Sequence, residues 1–199
     1  MLAKKLFLDA SVLYPAVTRN IFMHLALEDL VRLCWSQRVQ EEWISAFLRA
    51  NTNTPSEQHR LWRIPSRMAE ALEHQEPVVE GYEHLIAQIT LPDPDDAHVV
   101  AAAVVGKAEA ILTFNLRDFP QNALDPFDLV AIHPDDYLLD LAEKLIRDSS
   151  LPQELVHALR RQRSALKKPP LSPEEFLDSL KRAGLVRFVQ LIRQFIPHL

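Results

Sequence analysis

The chain of 199 residues has one cysteine, three glycines and no apolar run that approaches the length of a bilayer. Each scarcity closes off a class of function. With Cys34 as the lone thiol, neither an intrachain disulfide nor a thiolate zinc cage can form, and the residue reads as a small buried hydrophobe. With so little glycine there is no G-x-G-x-x-G and no G-x-x-x-x-G-K, so the phosphate cradles of nucleotide-binding folds are absent and no nucleotide cofactor is expected. A spanning helix takes roughly 20 apolar residues. Lys4-Lys5 lead instead into a four-residue apolar strand, too short for a signal peptide, so a cytoplasmic protein without membrane association is expected. A net charge of -5 argues against general charge-driven nucleic-acid binding, while leaving room for a local basic groove beside an acidic pocket.

What is present reads as an α/β unit followed by helices. At 48% hydrophobic, the chain can bury one well-cored domain with an addition, or two small ones. Residues 4–9 read as a strand, and Tyr14-Pro15 end the loop after it. Ile21, Phe22, Leu25, Leu27 and Leu30 mark a helix over 19–31, followed by a short strand over 33–36. Val39, Trp43, Phe47 and Leu48 form the stripe of a helix over Gln37–Ala50. Residues 54–88 read as mainly helical, interrupted near Pro65 and Pro77. Val99, Val100, Ala103 and Val104 recur at helical spacing, Gly106 closes that helix, and a buried strand over 110–113 follows. Val130–Ile132 reads as the last strand. From Pro134 onward the periodicity is helical, as in Leu138, Leu141 and Leu145 and in Leu185, Phe188, Val189 and Ile192. The joint inside this region is Lys167-Lys168-Pro169-Pro170.

Acids collect where such a sheet would expose its carboxyl edge. Asp9 directly follows an apolar strand, and Asn115 and Asp118 follow another, three apart, a spacing that places both on one face of a helical turn. Asp93-Pro94-Asp95-Asp96 opens the helix between them. Thr54-Pro55-Ser56-Glu57, His133-Pro134-Asp135-Asp136 and Ser172-Pro173-Glu174-Glu175 share its pattern of cap, proline and acid, so capping alone accounts for Asp93. Asp96, in a first helical turn, can both cap and point off the helix end. Glu41 and Glu42 are adjacent, and the apolar stripe does not decide which faces inward. His98 reads as structural. Arg160-Arg161-Gln162-Arg163 with Lys167-Lys168 reads as a solvated face or a contact for RNA or protein, and Arg19 is a further candidate for phosphate. Carboxylates brought together without cations repel one another and are pushed toward protonation. Hard divalent cations remove that penalty, and oxygen ligands without Cys or paired His favour Mg2+ or Mn2+ over Zn2+.

The set LFLDAS, Ser36 followed six residues later by Glu42, DDAHVVAAAV and ILTFNLRDF resembles a PIN domain of the VapC toxin type, in the right order over residues 4 to about 133. The resemblance implies a three-layer α/β/α fold with a parallel sheet and a Mg2+- or Mn2+-dependent ribonuclease. It implies Asp9, Glu42, Asp96 and Asp118 as catalytic acids, with Asn115 joining them around metal; spacing from Ser36 selects Glu42 over Glu41. Where many relatives carry aspartate after Thr-x, this chain has the neutral Asn115. An RNA substrate, a small antitoxin over the site and a homodimer are implied as partners. The resemblance leaves 135–199 as an all-helical extension to a nuclease domain over 1–134.

Two other readings differ in kind. A catalytically weak or inactive PIN-like module would bind RNA or protein without cutting, and would show no carboxylate-dependent metal binding. Phosphoryl transfer through an aspartyl intermediate at Asp9 is disfavoured, because Asp9-Ala10-Ser11 has no second acid two residues on.

Overall fold

The computed structural model describes residues 4–167 and 169–199. Five parallel strands, β1 (Lys5–Leu8), β2 (Arg32–Ser36), β3 (Val78–Val79), β4 (Ala110–Leu112) and β5 (Val130–Ile132), form one sheet in the order β3-β2-β1-β4-β5. Leu6, Phe7, Leu8, Ile111 and Leu112 have no exposed surface. Unbroken apolar runs of this kind belong to central parallel strands covered on both faces.

Helices α1 (Ala10–Leu13) and α2 (Ala16–Leu27) join β1 to β2, and α3 (Gln37–Ala50), α4 (Pro55–Trp62) and α5 (Ile64–Ala71) join β2 to β3. Helices α6 (Glu83–Ile86) and α7 (Ala97–Val105) join β3 to β4, and α8 (Gln121–Leu124) precedes β5. The first crossover moves outward from β1, whereas the one through α7 moves back across β2 and β1. Parallel crossovers are right-handed, so α2 and α7 cover opposite faces and three α/β/α layers result. Helix α7 packs on β1, β2 and β4, and every residue from 97 to 103 is buried.

The C-terminal part contains α9 (Pro134–Asp148), α10 (Gln153–Ala165), α11 (Pro173–Arg182) and α12 (Val186–Ile192). Helix α10 lies along α2, where Gln162 Nε2 donates to Val17 O at 2.8 Å and His157 Nδ1 lies 2.9 Å from Glu28 Oε2. One cluster of buried apolar side chains runs from Leu6 to Leu199. The helical extension therefore shares the core of the sheet domain. Lys168, part of the expected joint, lies outside the described residues; around it, α10 ends at Ala165 and α11 begins at Pro173.

The proline-led starts behave as capping chemistry requires. Thr54 and Ser172 each complete a capping box with the glutamate three residues on, and His133 Nδ1 accepts from Asp135 N. The break expected near Pro65 falls at Arg63, between α4 and α5, with Pro65 in the first turn of α5. Two expectations shift. The helix expected over 19–31 begins at Ala16 and ends at Leu27, because Asp29 takes a left-handed φ of 55° that turns the chain into β2. β3 has two residues, too few for any periodicity to betray it. Cys34 is buried and its thiol is pushed up to about 12 by that burial, which makes it inert at neutral pH. Among the described residues no helix is long and apolar enough to cross a membrane.

Candidate active site

The strand order places β2 and β3 on one side of β1, and β4 and β5 on the other. Consecutive connections thus diverge between β1 and β4, and a crevice opens at the carboxyl ends of those two strands. Asp9 emerges from β1 there, and Thr113, Asn115 and Asp118 emerge from β4. Ser36 at the end of β2 starts α3 with Glu42, and α7, antiparallel to the strand it feeds, begins at the same edge with Asp96.

Asp9 is 7% exposed and ends β1 by donating its N–H to Leu112 O at 3.1 Å. Its carboxylate caps α1. Oδ1 accepts from Ala10 N at 2.7 Å, while Oδ2 accepts from Ser11 Oγ at 2.6 Å, Thr113 Oγ1 at 2.8 Å and Ser11 N at 3.3 Å. A carboxylate oxygen offers about two lone-pair sites, so Oδ2 is saturated and Oδ1 retains capacity. The same two hydroxyls organise the facing loop: Ser11 Oγ accepts from Phe114 N at 3.1 Å, and Thr113 Oγ1 from Asn115 N at 2.9 Å. Ser11 and Thr113 carried no role in the sequence reading, although both stand inside its motifs. Hydroxyls next to motif acids were the available signal.

Asp93 and Asp96 divide the work at the start of α7. Asp93 takes the cap bond from Asp95 N at 2.9 Å, whereas Asp96 makes no side-chain cap bond and leaves its carboxyl half-buried in the crevice. Burial first, then the charges of Asp9, Asp118 and Asp93, raise the Asp96 carboxyl to about 6, against an opposing pull from His98. Asp9, Asp96 and Asp118 thus share one electrostatic neighbourhood. Asp118 closes a 3-10 turn over Leu116–Asp118 that begins at Asn115, its N–H donating to Asn115 O at 3.1 Å. Asp118 is half-buried and Asn115 exposed.

The pair at 41 and 42 separates. Glu41 is exposed and accepts from Gln37 Nε2 at 2.9 Å. Glu42 turns inward, with Oε1 accepting from Arg38 Nε at 3.1 Å and lying 2.9 Å from Nε2 of His98. A carboxylate only accepts, so Nε2 is the protonated nitrogen of that ring. His98 is buried, and among the described residues its Nδ1 has no hydrogen-bond partner. Arg38 Nη2 also reaches Asp95 O at 3.4 Å, linking α3 to the turn that carries Asp96.

Among the described residues no three His, Cys, Asp or Glu side chains are arranged to hold a metal ion by themselves. Charge repulsion acts over several ångströms, whereas Mg2+ ligation needs roughly 2 Å, so Asp9, Asp96 and Asp118 are grouped electrostatically without forming a closed cage. The candidate acids offer oxygen donors only, and Asp9 Oδ1 and the Asp96 carboxyl are among those with capacity left to accept.

The arginine candidates do not converge on this edge. Arg19 is buried, its guanidinium 4.4 Å from the Trp43 ring centroid and donating through Nη1 to Leu13 O; burial lowers it to about 10. It is a packing residue, not an exposed phosphate contact. Arg160 donates to His198 O at 2.9 and 2.6 Å, Arg161 pairs with Glu28 at 3.3 Å, and Arg163 donates to Leu171 O at 2.9 Å. Arg161 thus ties α10 to the end of α2, whereas Arg160 and Arg163 bond within the extension.

A five-stranded parallel α/β/α sandwich with acids at its switch point defines a class of carboxylate-site domains. Residues 5–117 match the family model for the PIN domain, and the chain belongs to that family. Residues 134–194 match the model for the VapC50 C-terminal domain. Over 118 residues the chain is 41% identical to a protein of Mycobacterium tuberculosis (strain ATCC 25618 / H37Rv) described as "Putative ribonuclease VapC50". That similarity covers 59% of this chain and 64% of the relative. No solved structure matches the chain.

Proposed function

We propose that the protein is a metal-dependent endoribonuclease, with Asp9, Glu42, Asp96 and Asp118 as its catalytic acids. The observation that carries this reading is the Asp96 carboxyl, uncapped, half-buried and raised to about 6 beside Asp9 and Asp118. A structural cap would not need that repulsion, and perturbed carboxyls at a switch-point crevice mark functional sites. The family and the described function of the relative point the same way.

A divalent Mg2+ or Mn2+ ion would offset the repulsion and polarise the phosphodiester being cut. Asp9, held rigid by its four donors, and Asp96 would hold it, with Asp118 completing the acidic wall and Asn115 supplying a neutral oxygen. Water and substrate oxygens would fill the remaining positions, as Mg2+ commonly requires. Glu42, fixed between Arg38 and His98, orients the attacking water. Pairing with a small antitoxin over this edge, homodimer formation and the division into a nuclease domain over 1–134 and a helical region over 135–199 belong to the same proposal.

The deciding experiment incubates parent protein and Asp96→Asn with structured RNAs in Mn2+, with and without chelator. Cleavage by the parent alone, abolished by chelator, supports the reading. Equal cleavage by both proteins would end it.

A further inference from the structure

With Arg19 buried and the arginines of α10 engaged, a polyanion needs another foothold on a chain of net charge -5. Helices α4 and α5 supply one. Residues 58–69 contain Arg60, Arg63, Arg67 and His59 and no acid. Together with Ser56 and Glu57, these four side chains line a surface cavity of about 300 Å³. Glu57, the one acid there, is engaged in the capping box, with Oε2 accepting from both Thr54 N and Thr54 Oγ1 at 2.8 Å. Among the described residues none of the three guanidinium groups forms a salt bridge. Arg63 and Arg67 stand four apart, and like charges so close disfavour a helix unless something neutralises them.

The setting is a shelf, not core. Helix α4 buries none of its residues, and α5 buries Met68 alone. Trp62, at the last position of α4, is 44% exposed between Arg60 and Arg63. Helix α4 packs on α3, the helix that carries Glu42. Planar guanidinium groups bind phosphate bidentately, and an exposed indole next to them offers a stacking platform for an unpaired base.

We propose that Arg60, Arg63, Arg67 and Trp62 form a binding site for single-stranded RNA, in which the arginines hold backbone phosphates and the indole stacks a base. This rests on the ribonuclease reading for its biological sense, but binding can be measured without cleavage. Fluorescence anisotropy of a labelled single-stranded RNA 20-mer in EDTA reads it directly. Arg60→Gln, Arg63→Gln and Arg67→Gln combined should weaken binding on the order of 10-fold and flatten the salt dependence of log K by about 0.7 per lost phosphate contact. Trp62→Ala should weaken binding several-fold without changing that slope. A triple variant with the same charge change elsewhere, Arg147→Gln, Arg182→Gln and Arg193→Gln, should lose far less, and melting curves confirm that each variant is folded.

Groove and control triples that behave alike would overturn the site, as would a parent that fails to bind RNA. Binding of polyglutamate as tightly as the RNA, with the same dependence on the arginines, would overturn it in favour of an acidic protein partner. RNA that binds through the groove but is never cut would refute the nuclease reading and leave this one standing. RNA that is cut equally well by the groove triple, with unchanged binding, would do the reverse.

Discussion

Asp9 and Asp96 illustrate how two acids at one sheet edge acquire different properties. Asp9 is surrounded by hydrogen-bond donors, whereas Asp96 has none at its cap position and faces like charges. The consequence for stability has a definite sign. Because folding raises the Asp96 pKa, the folded chain binds more protons than the unfolded one between about 3.8 and about 6, so this group's contribution to stability falls as pH rises through that window. In chelator, Asp96→Asn should therefore melt higher than the parent at pH 8, with the gain fading as pH approaches 4. Divalent cation should raise the melting temperature of the parent and not of the variant. At Asp9, Thr113→Val removes a buried hydroxyl donor while keeping the shape of the side chain. Charged hydrogen bonds are worth about 1.5–3 kcal/mol, so a loss of roughly ten-fold or more in kcat/KM is expected while the fold is retained, read by RNA cleavage and circular dichroism. His98→Leu should lower activity more than His98→Gln, since an amide can still donate to Glu42.

Within the extension, buried polar contacts hold one helix to another. The carboxylate of Asp135, in the first turn of α9, is buried and accepts from Arg187 N and Phe188 N, both at 2.9 Å, so it caps α12 from a distance. Asp135→Ala would orphan both donors, and a loss of about 2–3 kcal/mol in urea unfolding is expected. The neighbouring pair of Arg187 with Asp136 is exposed, and its removal should cost under about 1 kcal/mol. Gly184, between α11 and α12, has φ +94°, and a Cβ there would come within 3.1 Å of Phe114 Cε1. Phe114 in turn stands edge-on to His133 with 5.0 Å between ring centroids, and its N–H bonds to Ser11 Oγ beside Asp9. The α11–α12 turn therefore braces the loop leaving β4. Gly184→Ala should lower both thermal stability and activity, the latter through displacement of that loop.

At the scale of the whole molecule, the continuous core makes the two sequence regions depend on each other. Helix α10 covers α2, so a chain ending at 134 would leave an apolar face of α2 open to water. Such a truncation should aggregate or melt well below the full chain, checked by light scattering and differential scanning calorimetry. The distribution of charge also acts at this scale: acids line the crevice, Arg161 of α10 pairs with Glu28 beside α2, and Arg60, Arg63 and Arg67, which form no salt bridge among the described residues, lie on the α4–α5 shelf.

Local chemistry was sufficient to read the strands β1, β2, β4 and β5, the helix over Gln37–Ala50 and the proline-led helix starts, because apolar period and capping residues act within a few positions of chain. The PIN pattern, and with it the identity of the candidate acids, was likewise legible in the order and spacing of LFLDAS, DDAHV and ILTFNLRDF. Folding decided what depends on neighbours remote in sequence. It separated Glu42 from Glu41 by bringing His98 to one of them, and Asp96 from Asp93 by giving the cap to the other. It joined Ser11 to Thr113 across two paired strands, buried Arg19 against Trp43, and left Arg60, Arg63 and Arg67 without a salt bridge among the described residues. Those outcomes are differences in burial and electrostatic surroundings, which arise when helices and strands pack and have no counterpart in the linear order of residues.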